Sequence, residues 1–84
     1  MKSQAQTVRH GVSQRVAANV RAEMARQRIP QVALADALGI TQQSVSARLR
    51  GAVDFSVPEL DLVARLLNVS AALLLGSEPA RSAS

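Results

Sequence analysis

The sequence of 84 residues contains no cysteine, tryptophan or tyrosine, one phenylalanine and one histidine. Without cysteine, the chain has no disulfide framework, thiol nucleophile or thiolate metal site. The scarcity of aromatic side chains argues against a stacking platform for single-stranded nucleic acid, which holds bases against aromatic faces. His10 lies in a polar segment, where a solvated imidazole is far more common than a metal ligand or a catalytic base. We therefore expect no metal and no cofactor.

The carboxylates and hydroxyls lack the arrangement of a catalytic site. Asp36, Asp54 and Asp61 are scattered with no histidine near them, and Ser44 and Ser46 have no adjacent base. A chain this short buries only about 60% of its unfolded surface, which leaves little room for a large catalytic pocket. The sequence thus indicates a protein that is not an enzyme and has no small-molecule substrate.

Long hydrophobic runs are missing as well. The N-terminus has no apolar core of a signal peptide, and the most apolar stretch, residues 69–75, is too short to cross a bilayer. We expect a cytoplasmic protein with no membrane partner.

The residues that are present favour a bundle of helices with a basic surface. Hydrophobic residues make up 48% of the chain, and glycine occurs only four times, a composition that favours helices over a sheet. The net charge is +4, and nine of the ten cationic residues are arginine, which suits phosphate and guanine contacts. A basic excess of this size fits a role in solubility equally well, so the partner must be inferred from a motif.

Residues 31–51, QVALADALGITQQSVSARLRG, predict two short helices joined by a tight turn. The first helix has an inward stripe at helical spacing, formed by Val32, Leu34, Ala35 and Leu38. Gly39 follows where helices commonly end in a left-handed residue. Ile40 is expected to fill the core under the turn, and Thr41 offers an N-cap for a second helix over residues 42–50.

The second helix has two different sides, and Gly51 ends it. Val45 and Leu49 point to the core. At about 100° per residue, five residues share a face spanning roughly 140°: Gln42, Gln43, Ser46, Ala47 and Arg50. One side is core, and the other is free to contact a partner.

This pattern resembles the helix-turn-helix of the phage repressor and Cro family, and TQQSV at residues 41–45 is similar to the start of a lambdoid recognition helix. The residues that carry the likeness are Gln31, Ala35, Gly39, Ile40, Thr41, Val45 and Gly51. The resemblance covers about residues 16–75. It implies an all-α, five-helix lambda-repressor-like DNA-binding domain whose recognition helix lies in the major groove of double-stranded DNA.

By this resemblance Gln42 and Gln43 read bases, and Gln31 braces Gln42 and a phosphate. The chemistry agrees, because a glutamine amide can donate to adenine N7 while accepting from its N6 amino group. Ala47 offers only a methyl contact to thymine. Hydroxyl and guanidinium groups suit phosphates, which fix register without reading sequence; these candidate backbone contacts are Ser44, Ser46, Arg48 and Arg50.

The chain departs from the family pattern at two places. Many members carry a buried Arg–Glu ion pair where Met24 and Leu49 stand here, and an apolar pair is often neutral or stabilising in such a position. Arg48 stands where relatives often have a large apolar residue. Its stem can pack while its head reaches the surface, to meet either a phosphate or a partner subunit.

The segment before the motif predicts an arm and one helix. Residues 1–12 are polar without helical periodicity and are expected to form a flexible arm. Ser13 is a candidate N-cap for a helix over residues 13–28. Its inward positions are Val16, Ala17, Val20 and Met24. Ile29 and Pro30 separate this helix from the next one.

The segment after the motif predicts two more helices. Ser56 with Glu59 fits a capping box, and Phe55 with Leu60 fits the accompanying hydrophobic staple, so a helix is expected over residues 57–67, ended by Asn68. Its inner stripe is Leu60, Val63, Ala64 and Leu67, widened by Leu62 and Leu66. Ser70 can cap a short helix over residues 71–75 that ends at Gly76. In this helix the leucines either close the core or form a small dimer interface; the candidate dimer contacts are Leu73 and Leu75.

The predicted organisation is a flexible arm (1–12), a helix-turn-helix DNA-binding domain (13–76) and a disordered tail (77–84). The predicted function is a phage-type repressor or Cro-like transcriptional regulator that binds an inverted-repeat operator as a homodimer. We do not expect the C-terminal oligomerisation domain of long phage repressors. Two alternatives remain open: an antitoxin that regulates its own promoter, and a protein-interaction module on the same fold, which Gln42, Gln43 and Arg50 argue against.

Overall fold

The structure is a computed structural model that describes the backbone of residues 4–76 and the side chains of residues 13–76. This part of the chain contains five helices and no strand: α1 (Gln4–Gln27), α2 (Gln31–Leu38), α3 (Gln42–Leu49), α4 (Val57–Leu67) and α5 (Ala71–Leu75). The predicted all-α, five-helix class is confirmed. The predicted tail, residues 77–84, and the first three residues of the predicted arm lie outside the described residues.

Helix α1 begins nine residues earlier than its sequence predicts. It starts at Gln4, so the prediction that Ser13 is its N-cap was wrong, and residues 4–12 are helical where an arm without regular structure was expected. The segment QAQTVRHGV contains only one strong helix breaker, Gly11, and a glycine inside a helix costs only about 1 kcal/mol relative to alanine. Ser13 lies within the helix, and its hydroxyl donates to the carboxylate of Asp54.

The ends of the other helices lie within one residue of where their local signals placed them. Four successive helices, α1 to α4, end in the same motif, in which a left-handed residue is followed by one whose N–H bonds back to a carbonyl five residues earlier. The left-handed residues are Arg28, Gly39, Gly51 and Asn68. After three of these comes an apolar residue, Ile29, Ile40 or Val69, that packs against the core. Each turn therefore also closes the core beneath it.

The core lies between α1 and the four shorter helices. Its buried members include the predicted stripes of α1, α3 and α4: Val16, Ala17, Val20, Met24, Val45, Leu49, Leu60, Val63, Ala64 and Leu67. Two predicted core positions were wrong, because Val32 is 49% exposed and Leu62 is 40% exposed. Val32 lies more than about 100° around α2 from the mean direction of its buried residues, and Leu62 is similarly off the stripe of α4.

Polar side chains of α1 bond to the last carbonyls of three other helices. Gln14 donates to Arg50 O at 3.1 Å, and Arg21 donates to Leu49 O, so two donors meet the end of α3. Asn19 and Gln27 do the same for α5 and α4, at 2.9 Å to Leu74 O and 2.7 Å to Leu67 O. A helix leaves its last four carbonyls without partners inside the helix. Side chains of α1 supply hydrogen-bond donors to some of these carbonyls.

We expect Gly51→Ala to destabilise the fold by about 2 to 3 kcal/mol. Gly51 has φ +80, where a residue with a Cβ is strained by about 1 to 2 kcal/mol. The new methyl would also come too close to Gln14 Nε2 and displace its hydrogen bond, worth about 1 kcal/mol. Urea unfolding measures the loss.

Gly39→Ala is the matched control, because Gly39 has φ +69 and open space around it. It should cost only the strain of about 1 to 2 kcal/mol. In a Gln14→Ala background the cost of Gly51→Ala should fall to that of the control. Equal costs in both backgrounds would show that Gln14 has no part in the effect.

Candidate nucleic-acid interface

The turn between α2 and α3 sets where the predicted recognition helix begins. Gly39 is left-handed at the end of α2. Thr41 is the N-cap of α3, and its Oγ1 accepts the N–H of Ser44 at 3.0 Å, which confirms the predicted cap. Ile40 packs against the core between these two residues. Cap, turn and core contact together fix the point from which α3 projects.

Helix α3 has one buried side and one open side, as its sequence predicted. Val45 and Leu49 are buried. Gln42, Gln43 and Arg50 are exposed, and Ser46 and Ala47 are half-buried beside them. The two glutamines occupy the first turn of the helix, and their amides face outward from the fold.

Gln31 adjoins this face from the start of α2. An open pocket of about 560 Å³ lies between the end of α1, the start of α2 and α3, and Gln31, Ser46 and Arg50 all line it. Met24 and Leu49 line it as well and are buried in the core. The structure thus brings three predicted DNA-contacting residues together, Gln31 from α2 with Ser46 and Arg50 from the end of α3.

Arg50 lies along the open face. Its Nη1 donates to Ser46 Oγ at 3.0 Å, one turn earlier in α3. A guanidinium has five N–H donors, so this bond leaves others for an acceptor outside the protein. Arg50 and Ser46 form a small donor group at the end of the face opposite the glutamines.

Arg48 faces the protein. Its Nε and Nη2 donate to the two carboxylate oxygens of Glu59 at 2.9 and 3.1 Å, and its Nη1 donates to Ser44 O at 3.1 Å. Its side chain is only 16% exposed. The sequence predicted that Arg48 contacts either a phosphate or a partner subunit. Either contact would have to compete with the carboxylate of Glu59.

Glu59 lies in the first turn of α4 and bonds both to Arg48 of α3 and to Ser56, the N-cap of its own helix. Its carboxylate accepts the N–H of Ser56 at 3.0 Å, and its own N–H donates to Ser56 Oγ at 3.1 Å, which confirms the predicted capping box. The hydrogen bond from Arg48 is the main reason that the pKa of Glu59 lies below its usual value, and the bond from Ser56 lowers it further. The Arg48–Glu59 pair was not predicted from the sequence, because its members are eleven residues apart on different elements.

The candidate dimer contacts are only partly accessible. Leu74 is fully buried in the core, Leu73 is half-buried, and Leu75 is 46% exposed. Leu75 lines a pocket of about 310 Å³ with Val53 and other residues near the start of α4. The run of leucines therefore closes the core, and Leu75 also presents an apolar edge.

A family model described as helix-turn-helix, HTH_3, matches residues 20–74, about two thirds of the chain. The chain belongs to this Cro/C1-type helix-turn-helix family. It is a family of DNA-binding transcription regulators and not of enzymes. The matched region of this helix-turn-helix protein runs from the middle of α1 into α5.

No curated protein and no solved structure matches the chain significantly. Within residues 4–76, none of the helices combines the length and the apolar character needed to cross a membrane.

We expect the Arg48–Glu59 pair to make stability fall in acid. A carboxyl whose pKa is lowered in the folded state binds protons more readily when unfolded, so its stabilisation is complete above the unfolded value of 4.5 and is lost as pH falls through the folded value. Glu59→Gln should therefore flatten the dependence of unfolding free energy on pH below about pH 5.

Glutamine also suits the capping box, so this variant removes the charge and keeps the cap. Asp61→Asn removes a carboxylate that pairs with Arg65 at the exposed surface and should change the profile far less, since exposed pairs are worth little. An acid limb equally steep in wild type and Glu59→Gln would refute the assignment.

Proposed function

We propose that this protein is a transcriptional regulator that binds an inverted-repeat operator as a homodimer and represses by blocking promoter access. The observation that supports this most is the exposure of Gln42 and Gln43 at the capped start of α3. In helix-turn-helix proteins the first residues of the recognition helix contact base edges in the major groove. The family match supports DNA binding in general, and the operator and the dimer are our proposal.

Base reading is assigned to the first turn of α3. Gln42 and Gln43 are exposed, and each amide can both donate to and accept from an adenine. Ala47 follows one turn later on the same face and is half-buried, so it adds at most a contact to a thymine methyl. The amides therefore provide the main sequence preference.

Phosphate contacts are assigned to the margins of the same face. Arg50 and Ser46 lie at one end and share the open pocket with Gln31. Ser44 is half-buried near the capped start of α3. Arg48 is left out of this group, because Glu59 holds its guanidinium. Contacts of this kind fix the register of the protein and do not read sequence.

The dimer is assigned to the side of the fold that carries α5. Leu75 and Val53 are 46% and 43% exposed and line one pocket, and half-buried Leu73 lies in the same helix. Two copies related by a twofold axis would place their α3 helices about 34 Å apart, one turn of DNA. The apolar edge is small, so we expect the dimer to be weak without DNA.

The experiment that tests the function is selection of binding sites from a pool of random duplexes at about 0.15 M salt, where nonspecific affinity is usually weak. An inverted repeat with half-sites one helical turn apart is the expected result. Recovery of no shared sequence would contradict the proposal, and a single half-site would contradict the dimer.

We expect Gln43→Ala to weaken operator binding by about 1 to 3 kcal/mol and to relax the preference at one base step, as loss of a bidentate amide contact does. Titrations against the operator and against single-base variants measure both effects. Gln43 is exposed on α3, so stability should barely change.

Arg50→Ala is the contrasting variant, since it removes a phosphate donor and no base reader. It should weaken binding to all duplexes alike and lower the slope of log K against log salt by about 0.9. Arg65→Ala removes an equal charge from α4, where Arg65 pairs with Asp61, and should leave that slope nearly unchanged. If Gln43→Ala behaved as Arg50→Ala does, Gln43 would not be a base reader.

A further inference from the structure

A bidentate ion pair between Arg48 and Glu59 holds α3 on the side opposite its open face. Arg48 donates to both carboxylate oxygens of Glu59, at 2.9 and 3.1 Å, and to Ser44 O at 3.1 Å. The two side chains are 16% and 19% exposed. Glu59 is itself fixed to the start of α4 by its capping box with Ser56. The bond therefore joins α3 to a point that is already rigid.

Within residues 4–76 this bond is the direct polar link between α3 and α4. Helix α3 packs on α1 and α2, and no Cα atom of α3 lies within 8 Å of a Cα atom of α4 in this part of the chain. The long side chains of Arg48 and Glu59 span the gap. Without them, α3 and α4 would be joined only through the apolar core that they share.

The direction of Arg48 separates it from the DNA-facing residues. At 100° per residue, it points roughly 170° away from the mean direction of Gln42, Gln43, Ser46, Ala47 and Arg50. A side chain on that flank, with its donors bonded to a carboxylate, is badly placed to reach a phosphate. Its effect on DNA binding has to pass through the protein.

A bidentate ion pair can restrain the rotation of α3 about its own axis, which apolar packing restrains less. Val45 and Leu49 hold α3 to the core, but apolar contact is not directional. The two bonds from α1 hold only carbonyls at the C-terminal end of α3. Paired N–H···O bonds between a guanidinium and a carboxylate impose geometry as well as attraction. Rotation of α3 would swing Gln42 and Gln43 away from the base edges that they read.

We propose that Arg48 is a positioning residue for DNA recognition, which sets the rotation of α3 through Glu59 and does not contact the DNA. This inference rests on the proposed function, in that α3 reads an operator. Arg48 and Glu59 would then contribute to the affinity for the operator and not to the nonspecific, salt-dependent attraction to DNA.

The test is a double-mutant cycle with Arg48→Met and Glu59→Gln. The first keeps an apolar stem, and the second keeps the capping box, which glutamine also satisfies. Each single variant should bind the operator about tenfold more weakly, a size typical of coupling between bonded residues, and the double variant should be no weaker than either. Nonspecific affinity and the salt dependence of binding should stay as in wild type.

A phosphate contact by Arg48 would give the opposite pattern. Arg48→Met would then lower the salt slope by about 0.9, and Glu59→Gln would raise affinity, because it releases the guanidinium. Asp61→Asn controls for removal of a negative charge from α4, since Asp61 pairs only at the surface with Arg65. A gain in Glu59→Gln beyond that of Asp61→Asn would overturn the proposal.

A purely structural role is excluded by measuring affinity well below the unfolding temperature of every variant. Unchanged operator affinity with lower thermal stability would overturn the proposal. If Arg48→Met does not fold, Arg48→Lys takes its place; lysine keeps the charge but cannot form the two-pronged bond, so it should lose part of the operator affinity.

Failure of the proposed function and failure of the proposed role of Arg48 can be told apart. If wild type selects no operator, the proposed function fails, and hydrogen exchange of the α3 amides still tests the link without DNA. Faster exchange over residues 45–49 in Arg48→Met and Glu59→Gln than in Asp61→Asn supports the restraint of α3. Equal exchange in all three variants would overturn it.

Discussion

The short helices depend on α1 both for apolar packing and for hydrogen bonds to the C-terminal carbonyls of three of them. Helices of five to eleven residues are marginal in water by themselves, and unpaired carbonyls at their ends would lower their stability further. The donors that meet three of these helices are Gln14, Asn19, Arg21 and Gln27. Two of them bond at the end of α3, so α1, which also contributes to the core, supports the end of the predicted recognition helix that Gly51 terminates.

Most helix boundaries could be predicted from the sequence, because the signals are local. Thr41, Ser56 and Ser70 each accept a backbone N–H three residues ahead, and such caps can be read from neighbouring letters. Ser13 shows the limit of this reasoning. A serine in a polar segment fits a cap, yet the residues before it are compatible with a helix, and only its bond to Asp54, 41 residues away, shows its role.

The parts of the candidate site that were missed are the nonlocal ones. The open face of α3 follows from periodicity, whereas the donors from α1 reach partners 28 to 55 residues away. Glutamine, asparagine and arginine on a helix have the same pattern whether they face solvent or a neighbouring carbonyl. Arg48 was ambiguous for the same reason, because its sequence position does not reveal the carboxylate that it meets.

The division of charge around α3 follows from how deeply each position is buried. Met24 and Leu49 lie in the core, where an ion pair must lose its hydration and an apolar pair loses nothing. Arg48 and Glu59 lie nearer the surface, so their pair keeps some hydration and gains two aligned bonds. Arg21 and Arg48 are thus bonded within the fold, and Arg50 remains on the open face of α3. Because a guanidinium on a phosphate fixes register without reading sequence, we expect discrimination between DNA sequences to come chiefly from the amides of Gln42 and Gln43.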